Sequence, residues 1–505
     1  MSNLFASFAD FFPADRESVF LYDENLPGGQ LSYAEMETLS GQLANYFVSI
    51  GVKRGDRLAV QVEKSAMALM VYLASLRAGF TYLPLNTAYT EAEMRYFIED
   101  AEPSLLICAP EKQAKLAAVA AALGASLKIE TLGNNFEGSL SEAIKHCDVD
   151  FTTVDCSDDE LAAILYTSGT TGRPKGAMLS HENLRANAFT LKALWGWRPD
   201  DVLLHALPIF HVHGLFVACH CVLASGASMI FQAGFKAEAI MAALPQSTVM
   251  MGVPTFYTRL LANRQFQSQQ CANMRLFISG SAPLLASTHK EFEQRTGLKI
   301  LERYGMTETG MLVSNPLLGE RRAGTVGQPL PGVELRVVDD ARQPLSAGQV
   351  GSIQVKGANI FKGYWRKPEK TAEEFTDDGY FVTGDQGSWS DDGYLSIVGR
   401  AKDMIITGGF NVYPKEVELV LDAIDGVKES AVIGLVDADF GEAVSAVIVA
   451  DTSASLTESA IITAAKQRLG SFKVPKQIFF LEELPRNTMG KVQKNQLREQ
   501  FSIAR

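Results

Sequence analysis

The sequence carries no excess of positive charge, and this absence is the first limit on its function. Its 505 residues include 46 lysines and arginines against 58 aspartates and glutamates, which gives a formal net charge of −12. A protein that binds nucleic acid normally presents a basic face, so we expect no nucleic-acid partner. An anionic small molecule remains compatible with the composition, because a basic pocket can lie within an acidic surface.

Long hydrophobic runs are also missing. The apolar segments 67–76 and 215–224 are much shorter than the roughly 20 residues of a membrane-spanning helix, so we expect no membrane partner. The segment 1–16 contains Asp10 and Asp15 and no basic stretch before an apolar run, so we expect no signal peptide. These features predict a cytoplasmic protein.

Cysteine is scarce. The six cysteines are scattered, and the close pair Cys219 and Cys221 has neither a zinc-site spacing nor the pattern of a disulfide framework. Free buried thiols are typical of a reducing compartment. The chain is also too long for a single compact core, so we expect two or more domains.

Helix and strand patterns alternate through the first part of the chain. Ser32 and Glu35 form a capping-box pair at the start of a helix predicted over 32–52. Short apolar segments with strand character follow, separated by helical or loop segments, at 58–62, 105–107, 162–166, 202–207, 228–231, 249–253 and 276–278. Repeated strand–helix units predict an α/β fold with largely parallel sheets covered by helices.

The pattern changes after about residue 320. Strand segments at 333–338, 351–356 and 394–398 lie between turns rich in Gly, Asp and Pro, which predicts a small β-rich subdomain.

A third pattern begins near Asp403. Pro414 can start a helix that runs to Ile424, and strands at 431–436 and 443–449 precede a second helix at about 457–469. This order predicts a small α+β unit. We therefore predict an N-terminal domain of residues 1–402 and a C-terminal domain of residues 403–505.

The strongest local motif directly follows a predicted strand. Residues 166–176 read YTSGTTGRPKG, in which glycines let backbone N–H groups converge while hydroxyls and a lysine add further donors. Such a loop suits a polyphosphate, although its spacing is not that of a Walker loop. The residues predicted to bind phosphate are Thr167, Ser168, Gly169, Thr170, Thr171, Gly172 and Lys175.

This loop resembles the phosphate loop of the acyl-adenylate-forming superfamily, which includes acyl-CoA synthetases, non-ribosomal adenylation domains and firefly-type luciferases. Further motifs occur in the superfamily's order over nearly the whole chain: PIFH at 208–211, YGMTE at 304–308, YFVTGD at 380–385, GRAKD at 399–403 and PRNTMGK at 485–491. The resemblance implies a large adenylation domain and a mobile C-terminal lid. It also implies an acid–thiol ligase that uses ATP, Mg²⁺ and coenzyme A.

The resemblance assigns roles at the matching positions. Glu308 would hold Mg²⁺ against the ATP phosphates, with Thr307 donating to a phosphate oxygen. Asp385 would accept hydrogen bonds from two ribose hydroxyls. Lys491 would stabilise charge while the substrate carboxylate attacks the α-phosphorus. Further nucleotide contacts are implied for Ser281, Glu302, Tyr304 and Arg400.

Other positions match moving parts of the superfamily. His211 resembles a gate that lies beside the carboxylate and shifts to open the thiol channel, although a satisfied core histidine is the alternative. Asp403 matches the hinge, with an ordinary loop aspartate as the alternative. Loop 408–414 and Lys473 are candidates for coenzyme A contacts. Modification of Lys491 would neutralise its charge, so a lysine-modifying enzyme is an implied partner.

The acid is indicated by fewer residues. Relatives that bind long or aromatic acids usually have a small residue two positions before the glycine of the YGMTE motif, where this chain has Arg303. A buried guanidinium there would need an anion, and a second substrate carboxylate would supply one. With His211, His213 and Arg259 as further candidates, the chain resembles malonyl-CoA synthetases, which also take methylmalonate. The alternative is that Arg303 turns outward and pairs with Glu302.

Three other functions remain open at this point. The chain could be a CoA ligase for another short-chain carboxylate, or an adenylation enzyme that loads a carrier protein. It could also be a nucleotide-binding regulator that kept the fold and lost catalysis, although the intact Glu308, Asp385 and Lys491 argue against that function.

Overall fold

The computed structural model describes residues 2–134, 136–167, 174–407, 410–437, 440–451 and 456–502. Its strands are β1 (Val19–Tyr22), β2 (Gln30–Ser32), β3 (Arg57–Gln61), β4 (Thr81–Pro84), β5 (Leu105–Cys108), β6 (Lys128–Thr131), β7 (Leu161–Thr167), β8 (Lys175–Ser180), β9 (Val202–His205), β10 (Ser228–Phe231), β11 (Val249–Gly252), β12 (Leu276–Ser279), β13 (Ile300–Met306), β14 (Gly310–Ser314), β15 (Gln328–Pro329), β16 (Glu334–Val338), β17 (Gly351–Lys356), β18 (Phe381–Trp389), β19 (Leu395–Arg400), β20 (Ile405–Thr407), β21 (Phe410–Val412), β22 (Val427–Asp437), β23 (Gly441–Ala450) and β24 (Gln477–Phe480).

The α-helices are α1 (Leu4–Ala9), α2 (Tyr33–Ser49), α3 (Ala66–Ala78), α4 (Glu91–Ala101), α5 (Gln113–Ala122), α6 (Ser139–Ile144), α7 (His181–Leu194), α8 (His220–Ser225), α9 (Ala237–Ala243), α10 (Pro254–Ala262), α11 (Ala286–Thr296), α12 (Pro368–Glu374), α13 (Pro414–Leu421), α14 (Glu458–Lys466) and α15 (Lys494–Ser502). Among the described residues, none of these helices combines the length and the apolar composition that crossing a bilayer requires.

The first sheet has the strand order β6-β5-β3-β4-β7-β8 and is parallel except for the β7–β8 hairpin. Helix α3 packs against it and is capped at its N-terminus by Ser65, whose side chain accepts a hydrogen bond from the backbone of Ala68. The helix ends at Gly79, which adopts a φ of 70° that favours glycine. Every residue of α3 is buried, so the apolar segment 67–76 is a core helix that is hydrophobic on all sides.

The second sheet has the strand order β15-β14-β13-β12-β11-β9-β10-β1-β2. The strands from β13 to β1 are parallel, and antiparallel strands flank them at both ends. Ligands in open α/β sheets bind beyond the carboxyl ends of the parallel strands. Ser281 lies two residues after the carboxyl end of β12, and His211 lies six residues after that of β9. Arg303 lies within β13, directly after the residues that pair with β12.

A π-helix spans His213–Cys219 and continues into α8. All residues of the two elements are buried, which accounts for the apolar segment 215–224. The π-helix is rare and is often found at functional sites. We did not predict it, because an apolar run that is buried on every side carries no periodicity that distinguishes one helix type from another.

The predicted β-rich section is a four-stranded antiparallel sheet with the order β16-β17-β18-β19. Its register pairs Asp385 with Arg400 on neighbouring strands. The sheet therefore brings together two residues that the sequence separates by a turn and a full strand.

The C-terminal elements form a sheet of β21-β20-β23-β22 with β24 beside β23. They pack around their own core, which includes Ile405, Val417 and Val432. Helix α13 ends at Leu421, earlier than the predicted Ile424, because the chain turns through Gly426 (φ 84°) into β22. The α/β fold class, with a parallel-sheet body, a β-rich section and an α+β unit, is confirmed.

Candidate active site

The stem of the predicted phosphate loop is part of the first sheet. Thr167 ends β7, Lys175 begins β8, and the two residues are partners in the antiparallel register. The loop therefore leaves and re-enters the sheet at one point. Five residues predicted to bind phosphate lie outside the described residues: Ser168, Gly169, Thr170, Thr171 and Gly172.

Lys175 and Glu308 are connected through two further side chains. Lys175 Nζ lies 2.9 Å from Glu374 Oε1 and 3.9 Å from the centre of the Tyr364 ring. The Tyr364 hydroxyl lies 2.7 Å from Glu374 Oε2 and 3.1 Å from Glu308 Oε1. Burial raises the pKa of Glu308 and so disfavours its charged form. A bound cation would act in the opposite direction and favour the charged form. Thr307 precedes Glu308 in the turn between β13 and β14.

Asp385 and Arg400 form an ion pair at the edge of the β-rich sheet. Arg400 Nε lies 2.8 Å from one carboxylate oxygen of Asp385, and the Tyr304 hydroxyl donates to the other. Asp385 is buried, whereas Arg400 keeps partial solvent contact. The structure thus brings together three residues that were predicted as nucleotide contacts.

Lys491 lies at the end of a tight turn. The side-chain oxygen of Asn487 accepts hydrogen bonds from the backbone N–H groups of Met489 and Lys491, at 3.0 and 2.9 Å. Gly490 has a φ of 73° and approaches Thr255 of α10. Desolvation in this cleft and the charge of Arg400 lower the pKa of the Lys491 ammonium to about 8, although the residue keeps solvent contact. The turn therefore places a lysine of the C-terminal unit against the N-terminal domain.

His211 contacts the same turn. Its Nε2 atom lies 3.3 Å from the hydroxyl oxygen of Thr488. Burial lowers the pKa of His211 to about 4, so the imidazole is neutral near pH 7. The alternative of a core histidine held by a backbone partner does not describe this contact, which joins the two predicted domains.

His213, two residues after His211, contacts Ser281. Its Nδ1 atom lies 3.2 Å from Ser281 Oγ. Ser281 has a φ of 71°, a strained conformation for a residue with a side chain. Burial and the neighbouring Arg303 hold the pKa of His213 well below its usual range. The His213 Nε2 atom is buried and has no hydrogen-bond partner among the described residues.

Arg303 is a buried cation with unused donors. The side chain is 4% exposed, and its Nε and Nη2 atoms have no partner in the described part of the chain. Its guanidinium covers Gly280, where a Cβ atom would lie 2.2 Å from Nη1. Burial lowers the pKa of Arg303 to about 9. A buried charge without a partner is costly, which indicates that an anion completes this pocket.

Glu302 does not neutralise Arg303. Successive side chains of a strand point to opposite faces, and no ion pair joins the two residues within the described ranges. Glu302 is itself buried, which raises its pKa to about 8. The alternative in which Arg303 turns outward to pair with Glu302 is therefore not what the structure shows.

The prediction for Arg259 needs correction. Tyr257 is fully buried and donates a hydrogen bond to Ile278 O at 2.6 Å, whereas Arg259 is exposed. Two positions along a helix correspond to opposite faces, so Arg259 points away from the Arg303 pocket. The sequence reasoning missed Ser279, whose buried hydroxyl also has no partner among the described residues. The small residues that follow β12 were the available signal.

Two further candidates lie in the C-terminal unit. Asp403 accepts a 2.8 Å hydrogen bond from Arg498 of α15, so it is not a free loop residue. Lys473 pairs with Glu416. The first two residues of the predicted coenzyme A loop, Gly408 and Gly409, lie outside the described residues.

Comparisons with known proteins agree with this arrangement. Residues 5–365 match the family of AMP-binding enzymes, and residues 416–491 match the AMP-binding enzyme C-terminal domain. ATP-bound MatB from Rhodopseudomonas palustris has 52% identical residues and a TM-score of 0.96, and 99% of each chain is covered.

Two curated relatives differ in the acid that they are named for. A malonate–CoA ligase from Arabidopsis thaliana is 35% identical, with 92% of this chain and 81% of that protein covered. A feruloyl-CoA synthase from Amycolatopsis is 34% identical, with 94% of both chains covered. Overall identity therefore identifies the family and not the acid. The chain belongs to the AMP-binding enzyme family.

Proposed function

We propose that this enzyme is an ATP-dependent malonyl-CoA synthetase. It would convert malonate, and also methylmalonate, with ATP and coenzyme A into the acyl-CoA, AMP and diphosphate through an acyl-adenylate. The likeness to MatB and to the malonate–CoA ligase supports this proposal. The observation that carries it is the buried guanidinium of Arg303, whose Nε and Nη2 atoms have no partner among the described residues.

The pocket around Arg303 suits a second carboxylate. Its Nε and Nη2 atoms can donate to the two oxygens of one carboxylate, in the bidentate geometry that distinguishes arginine from lysine. His213 Nε2 and the Ser279 hydroxyl add two polar atoms that have no partner in the described ranges. An aromatic or long aliphatic acid would leave all of these groups unpaired at a cost of about 1–3 kcal/mol for each neutral group.

The nucleotide would lie between the two ends of the site. Asp385 already accepts from Arg400 and Tyr304 and would take the ribose hydroxyls with its remaining lone pairs. The loop from Thr167 to Lys175 would bind the phosphates, with Thr307 as a further donor. Ser281 and Glu302 are proposed as additional nucleotide contacts, because both lie at the carboxyl ends of neighbouring parallel strands.

The acidic groups fit a magnesium ion. Glu308 offers carboxylate oxygens beside the Tyr364 hydroxyl, and Mg²⁺ prefers one or two carboxylates together with substrate phosphates. The ion, held by Glu308, would neutralise phosphate charge during adenylation. The chain's own residues would orient the ATP.

Lys491 would act on the first half-reaction. The substrate carboxylate attacks the α-phosphorus and displaces diphosphate, and the ammonium would stabilise the negative charge on the oxygens around that phosphorus. Only the protonated lysine can do this. His211, which is neutral, would close the thiol channel beside the reacting carboxylate while Thr488 is in contact with it.

The second half-reaction would require Lys491 to leave. We propose that residues 403–505 rotate as a lid about Asp403, after which the coenzyme A thiol displaces AMP from the acyl carbon. Loop 408–414 and Lys473 are proposed contacts of coenzyme A. A lysine-modifying enzyme that neutralises Lys491 would stop adenylation and spare the thiol step.

A panel of acids tests the proposal. AMP release is followed with ATP and coenzyme A, and with malonate, methylmalonate, succinate, acetate or ferulate as the acid. We expect malonate to give the highest kcat/KM and ferulate the lowest. Preference for acetate or succinate would favour another short-chain ligase. Malonate-dependent diphosphate release without use of coenzyme A would indicate a carrier-protein-loading enzyme, and no AMP formation with any acid would contradict catalysis altogether.

A further inference from the structure

A lysine that follows a strand of the first sheet contacts the carboxyl ends of two strands of the second sheet. Lys64 follows β3, and its ammonium donates to His205 Nδ1 at 2.8 Å, to His205 O at 2.8 Å and to Gln232 O at 2.6 Å. It also lies 4.1 Å from the centre of the Phe231 ring. His205 and Phe231 are register partners at the ends of β9 and β10, so Lys64 joins the two strand ends.

Gly214 and Lys64 together determine the tautomer of His205. Because the carbonyl oxygen of Gly214 can only accept, Nδ1 accepts from Lys64 and the neutral ring carries its hydrogen on Nε2. That atom lies 2.9 Å from Gly214 O, to which it donates. Burial and the charge of Lys64 hold the pKa of His205 well below its usual range, which agrees with a neutral ring. Lys64, His205 and Gly214 therefore form one directed chain of hydrogen bonds.

Gly214 closes the loop that carries both site histidines. A Cβ atom at this position would lie 2.1 Å from Pro208 O, so the segment 208–214 can close only with glycine there. His213 directly precedes Gly214 and is the first residue of the π-helix. The hydrogen bond from His205 therefore fixes the backbone next to His213, which faces Ser281.

We infer that Lys64 and His205 are positioning residues that set His213 in the acyl pocket. Neither side chain takes part in the contacts proposed for the acid or for ATP; they act through the backbone of Gly214. This inference rests on the proposed function, because it assigns His213 to the end of the pocket that binds the second carboxylate. It predicts that changes at these residues affect the KM for the acid and not the KM for ATP.

Variants at His205 separate this role from a general loss of structure. The side-chain amide of His205→Gln can still donate to Gly214 O, whereas the shorter amide of His205→Asn can accept from Lys64 but cannot reach Gly214. We expect His205→Asn to raise the KM for malonate by about tenfold to a hundredfold and to leave the KM for ATP within about twofold. His205→Gln should restore most of the affinity for malonate.

His220 provides the matched control. It is equally buried, lies just after the π-helix, and contacts the Tyr72 hydroxyl at 2.7 Å instead of the loop. His220→Gln should lower the melting temperature without a change in either KM. An equal rise in malonate KM for His220→Gln and His205→Asn would overturn the inference, as would an unchanged malonate KM in His205→Asn or equal rises for malonate and ATP.

Lys64→Met keeps the inference testable if His205→Asn does not fold. It removes the donor that selects the tautomer and should raise the malonate KM in the same direction, and an unchanged value would contradict the inference. The failure of the proposed function has a different signature: the wild-type enzyme would then prefer another acid in the panel. In that case the same variants are compared through the KM of the preferred acid.

Discussion

The two cations at the ends of the site are held in opposite ways. Arg303 lies on a central strand of the second sheet, is 4% exposed and has unused donors among the described residues. Lys491 lies on a turn of the C-terminal unit, keeps solvent contact and is held through backbone hydrogen bonds to Asn487. The proposed function makes use of this difference: a fixed charge would recognise the part of the acid that does not react, and a removable charge on the proposed lid would act on the part that does.

The largest effect should follow from removal of the fixed charge. Arg303→Met should lower kcat/KM for malonate by roughly thirtyfold to a few thousandfold, which corresponds to the loss of about 2–5 kcal/mol at a buried charge pair. The rate with acetate, which brings no second carboxylate, should change little. AMP release with both acids measures the difference. Arg259→Met is the matched control, because this arginine is exposed, and an equal loss there would contradict the comparison.

The next effect concerns the removable charge. Lys491→Ala should lower the rate of malonyl-AMP formation by about 10²–10³-fold, the usual loss when one donor to a developing negative charge is removed. Conversion of supplied malonyl-AMP to malonyl-CoA should continue. Diphosphate release measures the first step and thioester formation the second. Equal losses in both steps would mean that Lys491 holds the structure together and is not specific to adenylation.

The sequence predicted the secondary structure around this site better than the side-chain contacts within it. The capping box at Ser32 and the buried strands follow from local patterns, and they are present in the fold. The place of Arg303 was implied by the resemblance to the superfamily. The neutrality of His211, the closeness of Gly280 to the guanidinium and the chain from Lys64 to Gly214 depend on which strand ends become neighbours in space. Sequence spacing carries no information about those distances.

Arg259 is a residue for which a contact was predicted that the structure does not show. It was named as a further candidate for the acyl pocket, yet the helical repeat of α10 turns its side chain away from the buried Tyr257. Ser279 was missed although small residues follow it, because a serine at the end of a strand is not distinctive by itself. In both cases the direction of a side chain, and not its place in the sequence, determined the outcome.

A third prediction compares the two cations through stability. Removal of a buried charge that lacks a partner should stabilise the ligand-free fold, by about 1–4 kcal/mol when an apolar side chain of similar volume replaces it. Arg303→Met should therefore raise the melting temperature, whereas Lys491→Met, at a site in contact with solvent, should leave it nearly unchanged. Thermal unfolding without ligands is the measurement. A marked fall for Arg303→Met would show that the guanidinium has a structural partner.

The smallest effect is a pH dependence to which Lys491 should contribute. Its pKa is lowered from 10.5 to about 8, and only the ammonium form can stabilise negative charge at the α-phosphorus. The kcat/KM for adenylation should therefore be constant below about pH 8 and fall tenfold for each further pH unit, which gives the pH profile an alkaline limb. The pH dependence of kcat/KM reports the pKa values of the free enzyme. In Lys491→Arg the limb should move to higher pH, because a guanidinium keeps its proton there. Diphosphate release between about pH 6 and pH 10 measures both profiles. An alkaline limb that does not move in Lys491→Arg would have to come from another group, and the lowered pKa of Lys491 would then have no part in catalysis.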